Sequence, residues 1–348
     1  MLRINTPELL KEDALDGVPV TDEDVRVVLE MEGIVPRAGE DVFYAADDVQ
    51  EGEAELIAPV RDRVTHVLDQ IGFTVFAQPQ NASSSIGTWK PLTDPTMVFK
   101  HTKGFNPHRF DVPAHPNLAA ERIFPLYNLK GRHLQEALTV APSRQGVLTL
   151  DEMKYTLSLQ NRLKVLLDAL RGSNAELFPR GIHHSDVKPP NIFVNENDGG
   201  VSGELFDFEG AGGGGVKSPL YSPETYFGNH TSRLNVGHDV FSYGISMLEI
   251  LSSDDAVISF HNAWQKRREL IHRFATDSVS SDSTKMLALY YNGFSTVFRD
   301  FCTRNAIPEQ VSVVILEMLD PRVGDMLNIP SMISRIEAFY KIPRLRLR

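Results

Sequence analysis

The stretch His184-Ser-Asp186-Val-Lys188-Pro-Pro-Asn191-Ile-Phe-Val194 constrains this chain more than any other. It reads as a loop entering an apolar strand, with a carboxylate, an ammonium and a carboxamide at offsets 0, 2 and 5. A second carboxylate follows in Leu205-Phe-Asp207-Phe-Glu-Gly210, 21 positions after the first. Five fixed residue types in this arrangement arise by chance about once in ten thousand chains of this length. The loop therefore predicts chemistry, and the fold has to present it.

The rest of the composition sets the frame. The chain has 348 residues, 42% of them hydrophobic and 23% charged, and a formal charge of −11. These are the proportions of a soluble globular enzyme of about two domains or lobes. Cys302 is the single cysteine, which excludes an internal disulfide framework and fits a reducing compartment. No apolar run approaches a bilayer span, and Met1 to Leu10 carries Glu8 without a signal-peptide core, so a cytoplasmic protein with no membrane span is expected, in its own cell or a host's. Residues 1 to 55 hold 16 Asp and Glu against 4 Lys and Arg, a charge of −12, and the remainder sums to +1. Such a segment repels nucleic acid; it reads as a solvated appendage or as a docking surface for a basic partner.

Along the chain, Thr21-Asp-Glu-Asp24 with Val25, Val28 and Leu29 up to Gly33 predicts a short helix. The stripe Leu56, Val60, Val64, Leu68 predicts a second at about 52–70. Phe73 to Phe76 and Thr96 to Phe99 read as strands around a polar loop. Thr149-Leu-Asp-Glu152 is a capping box in sequence, opening a long buried helix that should run to Gly172. Helical periodicity then recurs at about 238–252, 256–275, 284–302, 308–319 and 329–341.

At the Asp186 and Asp207 motifs the chain resembles the eukaryotic-type Ser/Thr protein kinase family, whose catalytic loop reads H-R-D-x-K-P-x-N and whose metal motif reads D-F-G. Ser222-Pro-Glu224 is similar to A-P-E, and Asp239-Val-Phe-Ser-Tyr-Gly244 to D-x-W-S-x-G. The resemblance implies an α+β, bilobal fold: an acidic, partly helical extension over 1–72, a strand-rich N-lobe and hinge over 73–150, a helical C-lobe over 151–341 and a basic tail over 342–348. It implies ATP and Mg²⁺ as cofactors and a protein with a Ser/Thr acceptor as substrate. Asp186 would orient the acceptor hydroxyl, Lys188 would lie against the transferring phosphate, and Asn191 and Asp207 would hold Mg²⁺. Asp239 would brace the catalytic loop.

In the amino-terminal half the resemblance takes Lys100, at the end of Thr96-Met-Val-Phe-Lys100, as the lysine on the α/β-phosphates. Gly87, in Ser83-Ser-Ser-Ile-Gly-Thr-Trp-Lys90, stands where the family has its glycine-rich loop. For the acid that pairs with Lys100, two alignments remain open. One makes Pro116 to Phe124 the C helix, with Glu121 as the partner and Leu134–Val140 and Val147–Leu150 as the next strands. The other takes His115-Pro-Asn-Leu as a turn, Arg122–Tyr127 as the strand into the hinge and Leu134–Leu138 as a helix.

Ser185 replaces the arginine of H-R-D, and Glu209 replaces the glycine of D-F-G. Arg322 is offset from the place of the arginine that pairs with the A-P-E glutamate. An active kinase is the leading expectation, against a pseudokinase binding module and a small-molecule phosphotransferase of the aminoglycoside type. Because Ser185 brings no cation to gather a phosphate, activity should not require phosphorylation of Ser218, Tyr221 or Ser222.

Overall fold

The structure, a computed structural model, describes with their side chains residues 112, 115–119, 147–196, 200–208, 211, 218–228, 237–275, 282–322 and 327–342. Along 14–15, 18–19, 34–36, 43–45, 73–75, 85–91, 97–103, 122–128 and 133–142, and at 197 and 236, it describes the backbone path. Helix and strand are mixed, and the chain divides into two compact units. Unit 1 comprises Met1–Ala114, Ala119–Gly146 and Gly214–Val216; unit 2 comprises His115–Leu118, Val147–Gly213 and Lys217–Arg348.

Unit 1 holds a small hairpin, β1 (Ala14–Leu15) with β2 (Val18–Pro19), and a seven-stranded sheet. The sheet is built from β3 (Ile34–Pro36), β4 (Phe43–Ala45), β5 (Phe73–Val75), β6 (Ser85–Pro91), β7 (Met97–Lys103), β8 (Arg122–Asn128) and β9 (His133–Pro142). Their order is β3-β4-β8-β9-β7-β6-β5, and only the β4–β8 pair is parallel. β3 and β4 come from the acidic region; the two helices expected at 21–33 and 52–70 lie outside the described residues.

Two details depart from the sequence reading. The polar stretch after Phe76 is not all loop, because Ser85–Pro91 pairs with β5 on one side and β7 on the other. Of the two alignments, each holds in part. His115–Leu118 is a turn closed by the Leu118 N–H on the His115 carbonyl at 3.0 Å, so no helix starts at Pro116, and Arg122–Asn128 is a strand. Yet Leu134–Val140 is strand, not helix, since β9 is paired with β7 from Glu136 to Pro142 and with β8 between His133 and Val140; ladder bonds on both edges override a weak local preference.

Unit 2 opens with α1 (Leu150–Met153) and α2 (Leu159–Gly172), where the sequence predicts one helix. The capping box at Thr149 is formed, with Glu152 Oε2 accepting the Thr149 N–H at 2.7 Å. Ser158 then caps a fresh start, its Oγ accepting the Asn161 N–H at 3.2 Å. α2 ends at Gly172, as its periodicity predicts. The chain continues through a π turn, Ser173–Leu177, and a 3-10 turn, Phe178–Arg180, until Gly181 turns left-handed at φ 66°. Gly172 also permits a close approach, since a Cβ there would stand 2.9 Å from the Leu118 side chain.

A hairpin follows, β10 (Ile192–Asn197) with β11 (Gly200–Leu205). It lies directly on α2: a Cβ on Gly203 would come within 1.9 Å of the Val165 carbonyl oxygen, so only glycine permits the contact. The remaining helices are α3 (Pro223–Phe227), α4 (Val236–Leu251), α5 (Asp254–Phe274), α6 (Ser283–Arg304), α7 (Glu309–Met318) and α8 (Ile329–Tyr340). α4 to α8 agree with the helical periodicity to within a few residues at each end. α4 is buried around its whole circumference, as a core helix should be, with Val240, Phe241, Tyr243, Ile245, Met247 and Leu248 at 0 or 1% exposure and Asp239 and Ser246 among its buried polar residues. Around it Tyr226, Phe227, Phe241, Phe260, Trp264 and Phe294 form edge-to-face and tilted pairs, each large side chain contributing about 1.5–3 kcal/mol by burial. The Trp264 indole N–H is satisfied by the Tyr226 carbonyl at 2.8 Å.

Candidate functional site

The Asp186 loop is fixed from below by α4. Asp239, fully buried at the first turn of that helix, accepts the His184 N–H at 2.5 Å and the Ser185 N–H at 2.9 Å, one on each carboxylate oxygen. Burial works to raise its pKa, but His238, nearby His184 and the backbone donors outweigh it, holding the carboxyl below its usual range. His184 pins the loop from the side. Its Nε2 reaches the Phe206 carbonyl at 2.8 Å and its Nδ1 faces the Asp186 N–H at 3.2 Å, so Nε2 carries the proton. The Asn191 carbonyl in turn accepts the Phe206 N–H at 3.1 Å, tying the end of β11, and so Asp207, to the loop. Phe193 and Phe206 stack 3.7 Å apart beside that junction.

This bracing holds two residues in the left-handed region, Ser185 at φ 72° and Asp207 at φ 67°. Among the described residues only two other non-glycines, Ala306 and Lys341, share that conformation, and both lie in turns after helices. Side chains with a Cβ are strained there by about 1–2 kcal/mol, and such strain persists where surrounding contacts over-determine it.

The side chains above the braced backbone converge. Lys188 Nζ lies 2.6 Å from Asp186 Oδ2, and the Asn191 amide donates to Asp186 twice, at 2.8 Å to the carbonyl and 3.1 Å to Oδ2. Ser218 completes the group: its N–H donates to Asp186 Oδ1 at 3.0 Å and its Oγ accepts from Lys188 Nζ at 2.8 Å. Asp186, Lys188 and Asn191, brought forward by the sequence as a set, therefore form one hydrogen-bonded cluster, with Asp207 one residue beyond the Phe206 anchor. Asn191 gives its N–H₂ end to Asp186, which leaves its carbonyl oxygen as the ligand end of the amide. That oxygen and the Asp207 carboxylate are hard donors of the kind Mg²⁺ takes, so the residues present fit the cation.

Lys100, Gly87 and Glu121 belong to unit 1. Lys100 is in β7, opposite Thr88 on one side and Thr139 on the other, and Gly87 stands in β6 opposite His101 beside a register shift. Glu121 lies outside the described residues. Arg322 does not serve Glu224; it forms a forked pair with Asp320 and lies over the Tyr291 ring. Sequence reasoning missed Ser218 as a partner of the Asp186 cluster and missed His238 altogether. No spacing rule points to Ser218, whereas a histidine next to the motif aspartate was a visible signal.

A second polar cluster sits at the start of unit 2, where Asp151, Glu249 and Asp254 bring carboxylate oxygens within 4.8 Å of one another. Lys154 occupies its centre, 2.8 Å from Asp151, 3.6 Å from Glu249 and 2.5 Å from Asp254. The Tyr221 hydroxyl donates to Glu249 at 2.5 Å. With an ammonium already among the three acids, nothing here calls for a metal. No helix among the described residues is long and apolar enough to cross a membrane.

No family model matches the chain. Curated proteins match over part of it. An LRR receptor-like serine/threonine-protein kinase of Arabidopsis thaliana is 30% identical over 129 residues, 32% of this chain and 12% of that protein. A dual specificity mitogen-activated protein kinase kinase of Drosophila melanogaster is 37% identical over 93 residues, 25% of this chain and 22% of the relative. One of Caenorhabditis elegans is 38% identical over 76 residues, 20% and 19% respectively. The matched stretches thus span less than a quarter of each relative, and over them the chain is similar to protein kinases.

Proposed function

We propose that this chain is a divergent Ser/Thr protein kinase that transfers the γ-phosphate of Mg-ATP to a protein hydroxyl. The observation that carries the reading is the Asp186 cluster: a carboxylate fixed by Lys188, Asn191 and the Ser218 N–H, on a backbone braced by Asp239. Phosphoryl transfer asks a protein for positioning and charge neutralisation more than for covalent chemistry, and these groups supply both. Asp186 holds the acceptor hydroxyl and takes its proton as the bond to phosphorus forms. Lys188 is a fixed cation beside that carboxylate and offsets negative charge on the moving phosphoryl group. Asn191 and Asp207 hold Mg²⁺, which when bound neutralises phosphate oxygens. Lys100 takes the α/β-phosphates, the backbone about Gly87 covers them, and Glu121 is the candidate partner of Lys100. The acceptor is a Ser/Thr-bearing protein, and the acidic segment a docking surface for a basic one.

The hydroxyls after Asp207 bear on control. Ser218 is bonded to Lys188, Tyr221 to Glu249 and Ser222 to Glu224, so each is engaged in its unmodified form. Protein made in a host lacking kinases is therefore expected to be active. Incubation of that protein with radiolabelled ATP, Mg²⁺ and a generic basic acceptor tests the proposal. Labelled acceptor is the expected result; nucleotide binding without transfer identifies a pseudokinase, and transfer to a small aminoglycoside in place of protein moves the chain to the other phosphotransferase class.

A further inference from the structure

We infer that His238 is a positioning residue, the titratable link through which the segment carrying Glu224 is tied to the Asp239 brace of the Asp186 loop. The inference rests on the proposed function for its effect on transfer, though not for the link itself. The imidazole is buried, with a side chain 3% exposed, and its two nitrogens face different elements. Nε2 lies 3.3 Å from Glu224 Oε2 on α3, and Nδ1 lies 3.9 Å from Asp239 Oδ1 on its own helix. At these separations a protonated ring attracts both carboxylates, and that attraction weakens when the ring loses its charge.

Glu224 is anchored locally by the Ser222 hydroxyl, four residues after Ser218, which itself touches Asp186 and Lys188. Asp239 holds the backbone N–H groups just before Asp186. A protonated His238 therefore attracts at once a carboxylate of the acceptor-side segment and the carboxylate under the loop. When neutral, it no longer attracts either carboxylate by charge. Among the described residues, the titratable groups that bear on it are Glu224 from α3, Asp239 from α4 and, beyond Asp239, His184 from the Asp186 loop. Burial lowers the pKa of the ring, and the two carboxylates outweigh it, so the net direction is upward from 6.5. For a histidine raised on folding, the stabilisation is complete below the unfolded value and disappears as pH rises through the folded one.

The test uses the full chain. Imidazole NMR of the unmodified protein, with His238 assigned by comparison with His238→Gln, should show it titrating above the ordinary histidine range. Thermal unfolding from pH 5.5 to 9 should show a fall on the alkaline side that His238→Gln lacks. In transfer assays, His238→Gln should lower kcat severalfold near pH 6.5 with little change in KM for ATP and should flatten the alkaline limb. His238→Arg, charged at all these pH values, should retain activity at pH 8.5 better than the unmodified protein does. A ring that titrates at or below the ordinary value, or a His238→Gln variant with an unchanged unfolding profile, overturns the inference. Absence of any transfer by the unmodified protein overturns the kinase reading instead, and the NMR and unfolding results still decide the link.

Discussion

At the Asp186 loop one carboxylate gathers three donors, from Lys188, Asn191 and the Ser218 N–H, whereas at the start of unit 2 one ammonium, Lys154, gathers three carboxylates. The chemical ingredients are alike and the supports are not. The first cluster stands on irregular backbone with left-handed residues, held by a buried aspartate and a buried histidine. The second stands on helix starts and a helix end, in relaxed conformations, and its tyrosine and lysine supply the acids with donors internally. Strained scaffolding around a carboxylate whose partners all donate is what function would require; a self-compensated nest requires only stability.

The largest test of this contrast is Asp186→Asn. The amide keeps the size and much of the hydrogen bonding, so the fold should persist, but it cannot take a proton. Transfer should fall by about a thousandfold or more while nucleotide binding remains. Loss of nucleotide affinity with transfer retained would reverse the roles given to Asp186 and the Asn191 and Asp207 pair. Removing the opposite partner in the other cluster should do the reverse. Lys154→Ala leaves Asp151, Glu249 and Asp254 facing one another with no cation among them. Breaking a fully buried pair costs about 3–5 kcal/mol, but Asp151 and Asp254 are 39 and 47% exposed and solvent screens them, so about 2 kcal/mol is expected. Chemical denaturation at pH 7.5 measures it, and undiminished stability would mean the lysine is an ornament of the nest.

The two clusters were not equally legible. Asp186, Lys188, Asn191 and Asp207 are close in sequence because one loop and one hairpin supply them, so their spacing carries the signal. Lys154, Glu249 and Tyr221 are brought together by the packing of α4 against the turn after α1, and nothing in the sequence announces that meeting. The same division runs through the fold. α4 to α8 follow from apolar periodicity, whereas β9 reads equally well as helix until its pairing with β7 and β8 is known, and the break between α1 and α2 depends on Ser158 restarting the helix. Gly172 was legible as the end of α2, whereas its close approach to Leu118, far away in the chain, was not.

Within the nest, Glu249→Gln should have the opposite sign to Lys154→Ala. Burial first, then the neighbouring Asp254 and Asp151, raise the Glu249 carboxyl from 4.5 to about 7, against the pull of Tyr221 and Lys154. An acid raised on folding contributes stability that is complete below about 4.5 and is lost as pH rises to about 7. Glutamine cannot ionise and can still accept from Tyr221. The variant should therefore match the unmodified protein near pH 4.5 and exceed it by about 1–2 kcal/mol at pH 8. A variant less stable at pH 8 would show that the charged pair with Lys154 dominates over burial.

The smallest expected effect returns to the strained side of the comparison. Ser185 is 1% exposed, adopts φ 72°, and its hydroxyl has no hydrogen-bond partner among the described residues. Its N–H is what the structure uses, on Asp239 at 2.9 Å. Ser185→Gly keeps that N–H, removes the Cβ that makes the left-handed region costly and removes a buried hydroxyl that no described residue satisfies. Against these gains stands the added freedom of glycine in the unfolded chain, about 0.5–1 kcal/mol. A net stabilisation of about 1 kcal/mol follows, with the Asp186 cluster intact and transfer little changed. Equilibrium unfolding and a transfer assay on the same preparation decide it. A loss of stability would show that the Ser185 side chain holds the loop, and a loss of transfer alone would show that the strain itself positions Asp186.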